Sequence, residues 1–500
     1  MPVANDGRLS RISSSILHAR NWIVANRVLL LLLAISWSFR IALAMRGGQG
    51  YWPDEGRFNR SFFFAQRLVN RDLTGTVDYI LDSPDHVGFV FVGIIPTFAQ
   101  VGRTLWVSAA VLSLMSVASI ALTYAVASRV GAGRSEALLA ALLMACATTM
   151  FYYSRHLLPY DSSMAILLMA LWLALAPHPS VKSRSVCAMF ASMGFLTYNG
   201  YWQSAGLILA VSVFWRARSL SDVVRRGTLA SLVFLAPPAI LTGVSLIRHH
   251  KPYIVGMLEF SKSTGFQCDM REGWSLPWVH LWHAEHGLLV LWLVAVAFLV
   301  WAAAKGDPGA RGRGMLWLGM VAGIWGIIVL LSCGLGKCGT MGRHGRQMVP
   351  FLCLAAACGA VCLLSRVRPR RIWYFVGAAL LGGQTLVNFL PPLEQRFPND
   401  LVREVNATWK DVRYDVTVRG PGLAYPPPAN VAPRYVLLNA QSLYPVEGSK
   451  DALSGQVILR HPHPLEYLPY QYEGYVPSER SRLRAIDISM RLVDTKGDGT

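Results

Sequence analysis

About eleven apolar runs follow one another along this chain, and short clusters of arginine punctuate them. That alternation constrains the fold more than any single motif. Of 500 residues, 53% are hydrophobic and only 15% are charged, which excludes disorder and an ordinary soluble enzyme. The formal net charge of +19 could suggest a nucleic-acid partner. The arginines instead fall between apolar runs, as membrane orientation requires, and no basic face with interleaved aromatics appears. The expected class is an all-α polytopic membrane protein with no nucleic-acid partner.

The arginines set the sides. A basic N-terminus (Arg8, Arg11, Arg20, Arg27) precedes an apolar run at about 28–45. That run is long for a cleaved signal peptide and contains Arg40, so it reads as an uncleaved first span leaving the cytoplasm. Further spans are expected at about 104–128, 135–152, 162–176, 185–198, 203–215, 228–247, 279–303, 315–332, 347–365 and 372–390. Each even-numbered span then ends at a Lys/Arg cluster on the cytoplasmic side, with the N-terminus inside and the C-terminus outside.

The first outer loop, about 46–103, is long and mixed. Within it 59–72 reads as an amphipathic interfacial helix with Phe62, Phe63, Phe64 and Leu68 on its apolar side. The run 87–101 is short, carries Pro96 and lacks a basic cytoplasmic flank, so it reads as interfacial or re-entrant. Residues 1–390 thus form one membrane domain. The tail, 391–500, turns rich in Pro, Tyr and charge with strand-like pieces, and is expected to form a small extracytoplasmic domain of mixed α/β or mainly β structure. Cys268, Cys333 and Cys338 fall in outer loops, where one disulfide among them is expected with no pairing assigned.

On this topology the outer face collects Asp54, Glu55, Arg57, Asp82, Asp85, His86, Arg155, His156, Asp161, Arg248, His249, His250, Lys251, Arg343, His344 and Arg346. Asp54 and Glu55 lie just past the first span, with Arg57 close behind; Asp161 lies where the third span gives way to the fourth and could also cap a helix. Carboxylates beside clustered cations suit transfer of a group from a phosphate leaving group. One carboxylate takes the proton of an acceptor hydroxyl, and guanidinium groups hold phosphate oxygens. Outside the cytoplasm, where nucleotide sugars are absent, the donor would be a membrane-anchored lipid phosphate.

Here the pattern resembles a family. Asp-Glu-x-Arg (Asp54, Glu55, Arg57) in the first outer loop resembles the motif of the GT-C class of membrane glycosyltransferases, in the aminoarabinose transferase and protein O-mannosyltransferase branch. The segment from Asp82 to His86 resembles the stretch after that loop, without its Pro-Pro-Leu-Tyr motif. Ser154 to Asp161 resembles the second acidic motif. Gly194 to Gly200 resembles a Gly-Leu-Ala-Phe-Leu-Thr-Lys stretch with the Lys absent, and Gly342 to Pro350 the arginine-bearing loop before a late span. The resemblance covers about 28–365. It implies an inverting transfer of a sugar from a polyprenyl-phosphate donor to a glycolipid, polysaccharide or protein acceptor. Asp54 would be the base, Glu55 an acceptor or metal contact, Asp161 a second acidic contact and Arg57 a phosphate contact. Arg155, Lys251, Arg343 and Arg346 are the further donor-binding candidates.

His86, His249 and His344 are candidates for acceptor or metal contacts. No spacing among them is a metal signature, so no cofactor is assigned and a divalent metal stays open. His156 reads as a structural hydrogen-bonding group. Arg40, inside the first span, either snorkels to the outer interface or pairs with an acidic residue of the site. The alternative function is a secondary transporter or flippase of a lipid-linked or small anionic substrate. Against it, the acidic groups lie at one edge and no repeated halves are visible. An Ala- and Arg-rich chain with compact loops fits a bacterial inner membrane with a periplasmic site.

Overall fold

The computed structural model describes residues 6–49, 55–82, 86–99, 105–178, 180–263, 266–267, 270–335, 337–338, 342–367 and 370–394, and four short strands beyond them. The membrane domain is helical. Among the described residues seven helices are long and apolar enough to cross a bilayer: Asn26–Met45, Trp106–Arg129, Leu220–Ile247, Gly287–Ala304, Ala310–Leu331, His344–Leu364 and Phe375–Glu394. An eighth crossing is reached if a bent pair is counted as one. This is an integral membrane protein.

The chain opens with α1 (Asp6–Met45), whose second half is the first crossing. The described residues of the loop after this crossing fold into four short helices, α2 (Gly56–Val69), α3 (Leu73–Leu81), α4 (Val87–Val92) and α5 (Ile94–Phe98). In α2 the 3.6-residue period splits the aromatics. Phe58 and Phe64 are buried in the protein, while Phe62, Phe63, Leu68 and Val69 face outward. The expected apolar side is therefore two sides. Helices α4 and α5 break at Gly93 and together are too short to cross, as expected for a re-entrant or interfacial piece.

Helices α6 (Trp106–Leu112) and α7 (Leu114–Arg129) form the next crossing, and α8 (Arg134–Cys146) returns. Ala147 is extended, so α9 (Thr148–Phe151) and the 3-10 turn Tyr152–Arg155 continue at 65° to α8. Three expected spans are shorter helices: α10 (Tyr160–Ala174, 15 residues), α11 (Val181–Thr197, 17 residues) and α12 (Trp202–Phe214, 13 residues). At 1.5 Å per residue, 15 residues reach only about 22 Å, short of a bilayer core of about 30 Å. Helix α10 is buried on nearly every side, so protein rather than lipid satisfies it.

The second half runs through α13 (Leu220–Ile247), α14 (Tyr253–Ser263), α15 (Met270–Glu285), α16 (Gly287–Ala304), α17 (Met315–Leu335), the 3-10 segment Gly342–Met348, α18 (Val349–Leu364) and α19 (Arg370–Glu394). Helices α16 and α18 meet where Gly359 has no side chain. A Cβ there would stand 1.9 Å from the Ala295 carbonyl oxygen. At the basic ends of the helices, Arg313 donates from Nε and Nη2 to the two oxygens of Glu136, each at 2.7 Å. Arg129 lies over Trp172 at 4.3 Å.

Strand β1 (Phe266–Gln267) pairs antiparallel with β2 (Lys337–Cys338), joining two interhelical loops. Cys268 lies outside the described residues, as do the side chains of Cys333 and Cys338, so the disulfide expected among them falls outside the described residues. In the tail, β3 (Val412–Tyr414), β4 (Tyr435–Asn439), β5 (Gln456–His461) and β6 (Met490–Asp494) form one sheet in the order β3-β4-β6-β5. Its β3–β4 pair is parallel and the others antiparallel. Helix α19 runs through Pro391 and Pro392 to Glu394, so its last four residues fall in the stretch read as the start of the tail.

Candidate functional site

The first loop is fastened to a segment a hundred residues downstream. Glu55, 3% exposed, opens α2 and turns its carboxylate inward. The Leu157 N–H donates to its Oε1 at 2.7 Å, and His156 Nδ1 lies 3.4 Å from its Oε2. His156 Nδ1 also lies 3.1 Å from the Gly48 carbonyl oxygen. Burial pushes the His156 imidazole below its ordinary range, with Glu55 opposing, and a neutral ring protonated at Nδ1 satisfies both neighbours. Gln49 completes the seam, donating to the Ala44 and Arg155 carbonyls at 2.8 and 2.9 Å. Arg155 itself is enclosed. Its Nε donates to the Gly47 carbonyl at 2.9 Å and its Nη1 to the Pro392 carbonyl at 2.7 Å, tying the end of α19 to the loop. Asp54 lies outside the described residues, with Tyr51, Trp52 and Pro53.

From this seam the chain enters α10. The cap residue is Pro159, so Asp161 stands in the first turn rather than at the cap. Its carboxylate forms a buried ion pair with Arg346. Arg346 also donates to the Met150 carbonyl at 3.4 Å and lies over the Tyr153 ring at 5.1 Å. Next to it in the same 3-10 segment, His344 Nε2 meets the Tyr198 hydroxyl at 2.8 Å. The Tyr198 ring packs on Tyr160 at 4.6 Å and on His86 at 5.0 Å. His86 holds a left-handed backbone, φ 58°, at the start of α4. Phe260 of α14 closes this group, 6.0 Å from the His86 ring and 5.7 Å from the Arg57 guanidinium.

Glu55, Arg57, His86, Arg155, Asp161, His344 and Arg346 are therefore brought together by chained contacts. Lys251 and His249 are not in that chain. Lys251 pairs with Glu259 on the surface, and His249 is exposed with φ 59°. Their neighbours build a separate clasp. Arg248 donates to both oxygens of Asp78 at 2.9 and 2.6 Å, and His250 bridges Asp78 and Asp82 at 3.2 and 3.0 Å. The Arg248 hydrogen bonds hold the Asp78 carboxyl down at about 2. The Arg343 side chain lies outside the described residues. Among the described residues, no group of three His, Cys, Asp or Glu side chains is arranged to hold a metal ion.

Glu285 escapes sequence reasoning, whereas Arg40 is singled out by it. Glu285, at the end of α15, accepts from the Thr148 and Thr149 N–H groups at 2.8 and 2.9 Å and from the Thr149 hydroxyl at 2.6 Å. It thereby caps α9 at the break after Ala147. Arg40 does not snorkel. It is 1% exposed, donates to Ser116 Oγ at 2.9 Å and to the Ser36 carbonyl at 3.0 Å, and lies within electrostatic reach of Asp161 and Arg346. The only sequence signal for Glu285 was a charge beside an apolar run.

No family model matches this chain, and no curated protein matches it.

Proposed function

We propose that this membrane protein is an inverting glycosyltransferase that moves a sugar from a polyprenyl-phosphate donor to a hydroxyl or phosphate acceptor on the extracytoplasmic face. What carries the reading is one convergence. The first-loop acidic motif is hydrogen-bonded to residues 156–157, which lead directly into Asp161 and its Arg346 partner. Two motifs about a hundred residues apart, each read as acidic site elements, thus meet in one place.

In this reading the acceptor oxygen attacks the anomeric carbon while the bond to the lipid phosphate breaks, and the phosphate leaves with the electron pair. Asp54 takes the acceptor proton. Arg57, with Arg343 from an outer loop, meets the phosphate; Glu55 and Arg155 hold the loop that carries Asp54, and Asp161 fixes Arg346. His86 and His344 flank the acceptor side, and a divalent metal is not required by this scheme. The topology that goes with it has eleven crossings, a cytoplasmic N-terminus and the tail domain outside, in a bacterial inner membrane.

The test is transfer of labelled sugar from polyprenyl phosphates in membrane vesicles, with Asp54→Asn at matched expression and fold. Loss of a general base lowers turnover by about 10²–10⁴-fold. Full turnover in that variant refutes the base assignment. Accumulation of substrate in sealed vesicles without transfer by the wild type would replace the enzyme with a transporter.

A further inference from the structure

We propose that the interior of the membrane domain holds one small inorganic anion of the halide class, bound by Arg40, Arg346 and His280. This does not rest on the glycosyl-transfer reading. The three side chains come from α1, from the 3-10 segment Gly342–Met348 and from α15, and they are 1%, 0% and 0% exposed. Arg40 Nε donates to Ser116 Oγ at 2.9 Å, Ser116 Oγ donates to the Met150 carbonyl at 3.2 Å, and Arg346 Nη2 donates to that same carbonyl at 3.4 Å, so the two guanidinium groups are neighbours. Gly345, next to Arg346, lies against Pro277, one turn before His280 on α15.

Among the described residues the charge does not balance. Two guanidinium groups share one carboxylate there, Asp161, which is bonded to Arg346. Glu285, the other acidic group of the core nearby, is committed to Thr148 and Thr149. An uncompensated charge in a dry interior costs several kcal/mol, so such a group is normally paired. The hydrogen bonding leaves the same remainder. Arg40 Nη2, Arg346 Nε and Nη1, and both ring nitrogens of His280 are buried with no partner among the described residues. Buried polar atoms are almost always bonded, and here a majority of the orphaned ones are obligate donors. An acceptor carrying one negative charge satisfies both deficits at once.

Enclosure selects the occupant. None of the three side chains reaches the surface, so a ligand with a tail or a bulky multivalent head does not fit the surroundings. A monoatomic anion needs no directional acceptor geometry and accepts from as many N–H groups as surround it. It also loses less hydration on entering than a phosphate does.

The test is equilibrium dialysis of radiolabelled chloride against the purified full-length chain in detergent, with gluconate holding ionic strength constant. The expected result is one saturable chloride per chain, displaced by bromide and not by inorganic phosphate. Removing one cation, in Arg40→Met, should weaken binding by tenfold or more. Removing the competing carboxylate, in Asp161→Asn, should tighten it by a similar factor, which no general loss of folding can imitate. Absence of saturable chloride binding by the monodisperse wild type would overturn the proposal and leave water as the occupant. Displacement by phosphate would overturn it in favour of a phosphoryl pocket open to the surface. Affinities that shift in the same direction in both variants, or in neither, would also overturn it.

Discussion

Glu285→Ala should release the first turn after the break in the α8–α9 crossing. The carboxylate accepts three hydrogen bonds at 2.6–2.9 Å, two of them from backbone N–H groups at the start of α9. The Thr149 hydroxyl can rotate to another acceptor, but the two amides have no such freedom. Each buried donor left without a partner costs about 1–3 kcal/mol. Removing a fully buried carboxylate returns part of that by ending its own desolvation, so the net local cost is about 2–4 kcal/mol. At about 1.4 kcal/mol per decade, local opening becomes roughly 30–1,000-fold more frequent. Hydrogen exchange reads this directly: amides of 148–156 should lose that much protection, while those of α16 should not change. Glu285→Gln keeps one acceptor oxygen and should fall between. Unchanged protection of Thr148 and Thr149 in the alanine variant, within about threefold, would refute the capping argument. Because α9 leads into the turn whose next residues hold Glu55, exchange of α2 should rise as well.

Other expectations follow from single contacts. Gly359→Ala should drive α16 from α18 and cost about 3 kcal/mol, lowering the unfolding midpoint; Gly243→Ala in α13, where an added Cβ meets nothing within 4 Å, should be neutral or slightly stabilising. Glu136→Ala leaves Arg313 unpaired where it is only 24% exposed and should cost about 2 kcal/mol by the same measurement. Two opposite-type groups give the same sign with pH in different windows. Asp78 ionises at about 2 in the folded chain against 3.8 ordinarily, so its clasp with Arg248 stabilises above pH 3.8 and is lost as pH falls toward 2; exchange of α3 should accelerate there, and Asp78→Asn should abolish that dependence. His156 is held below 6.5 by burial, so the unfolded chain binds its proton preferentially and stability falls as pH drops below 6.5; His156→Gln should flatten that limb of a stability–pH curve.

The sequence was most legible where physics acts locally. Apolar length and the arginines between runs located the seven long crossings, and Pro96 with the short run around it marked α4 and α5 as non-crossing. The outer charged motifs gave Glu55 and Asp161 as members of one neighbourhood. Helices α10, α11 and α12 are shorter than the spans expected there, and α10 is enclosed by other helices, where apolar residues serve without matching a bilayer. Contacts that hold the site were not legible. Glu285 reaches Thr148 across 137 positions, and Gln49 reaches Arg155 across 106, with no spacing rule to connect them. The loop cations looked equivalent in sequence, yet Arg155 spends its hydrogen bonds on carbonyls, Arg346 on a carboxylate, and Lys251 on a surface partner.

The outward row on α2 has a kinetic corollary. Phe62, Phe63, Leu68 and Val69 remain uncovered by protein on the helix whose first turn adjoins Glu55, as do Phe91, Ile95 and Phe98 on the helices packed beside it. An apolar-tailed molecule dissolved in a leaflet would meet this flank by lateral diffusion within a sheet. Its encounter frequency would then follow mole fraction among lipids rather than molarity in the aqueous phase. Diluting vesicles with buffer would leave that frequency unchanged, whereas diluting the bilayer with inert lipid would lower it in proportion.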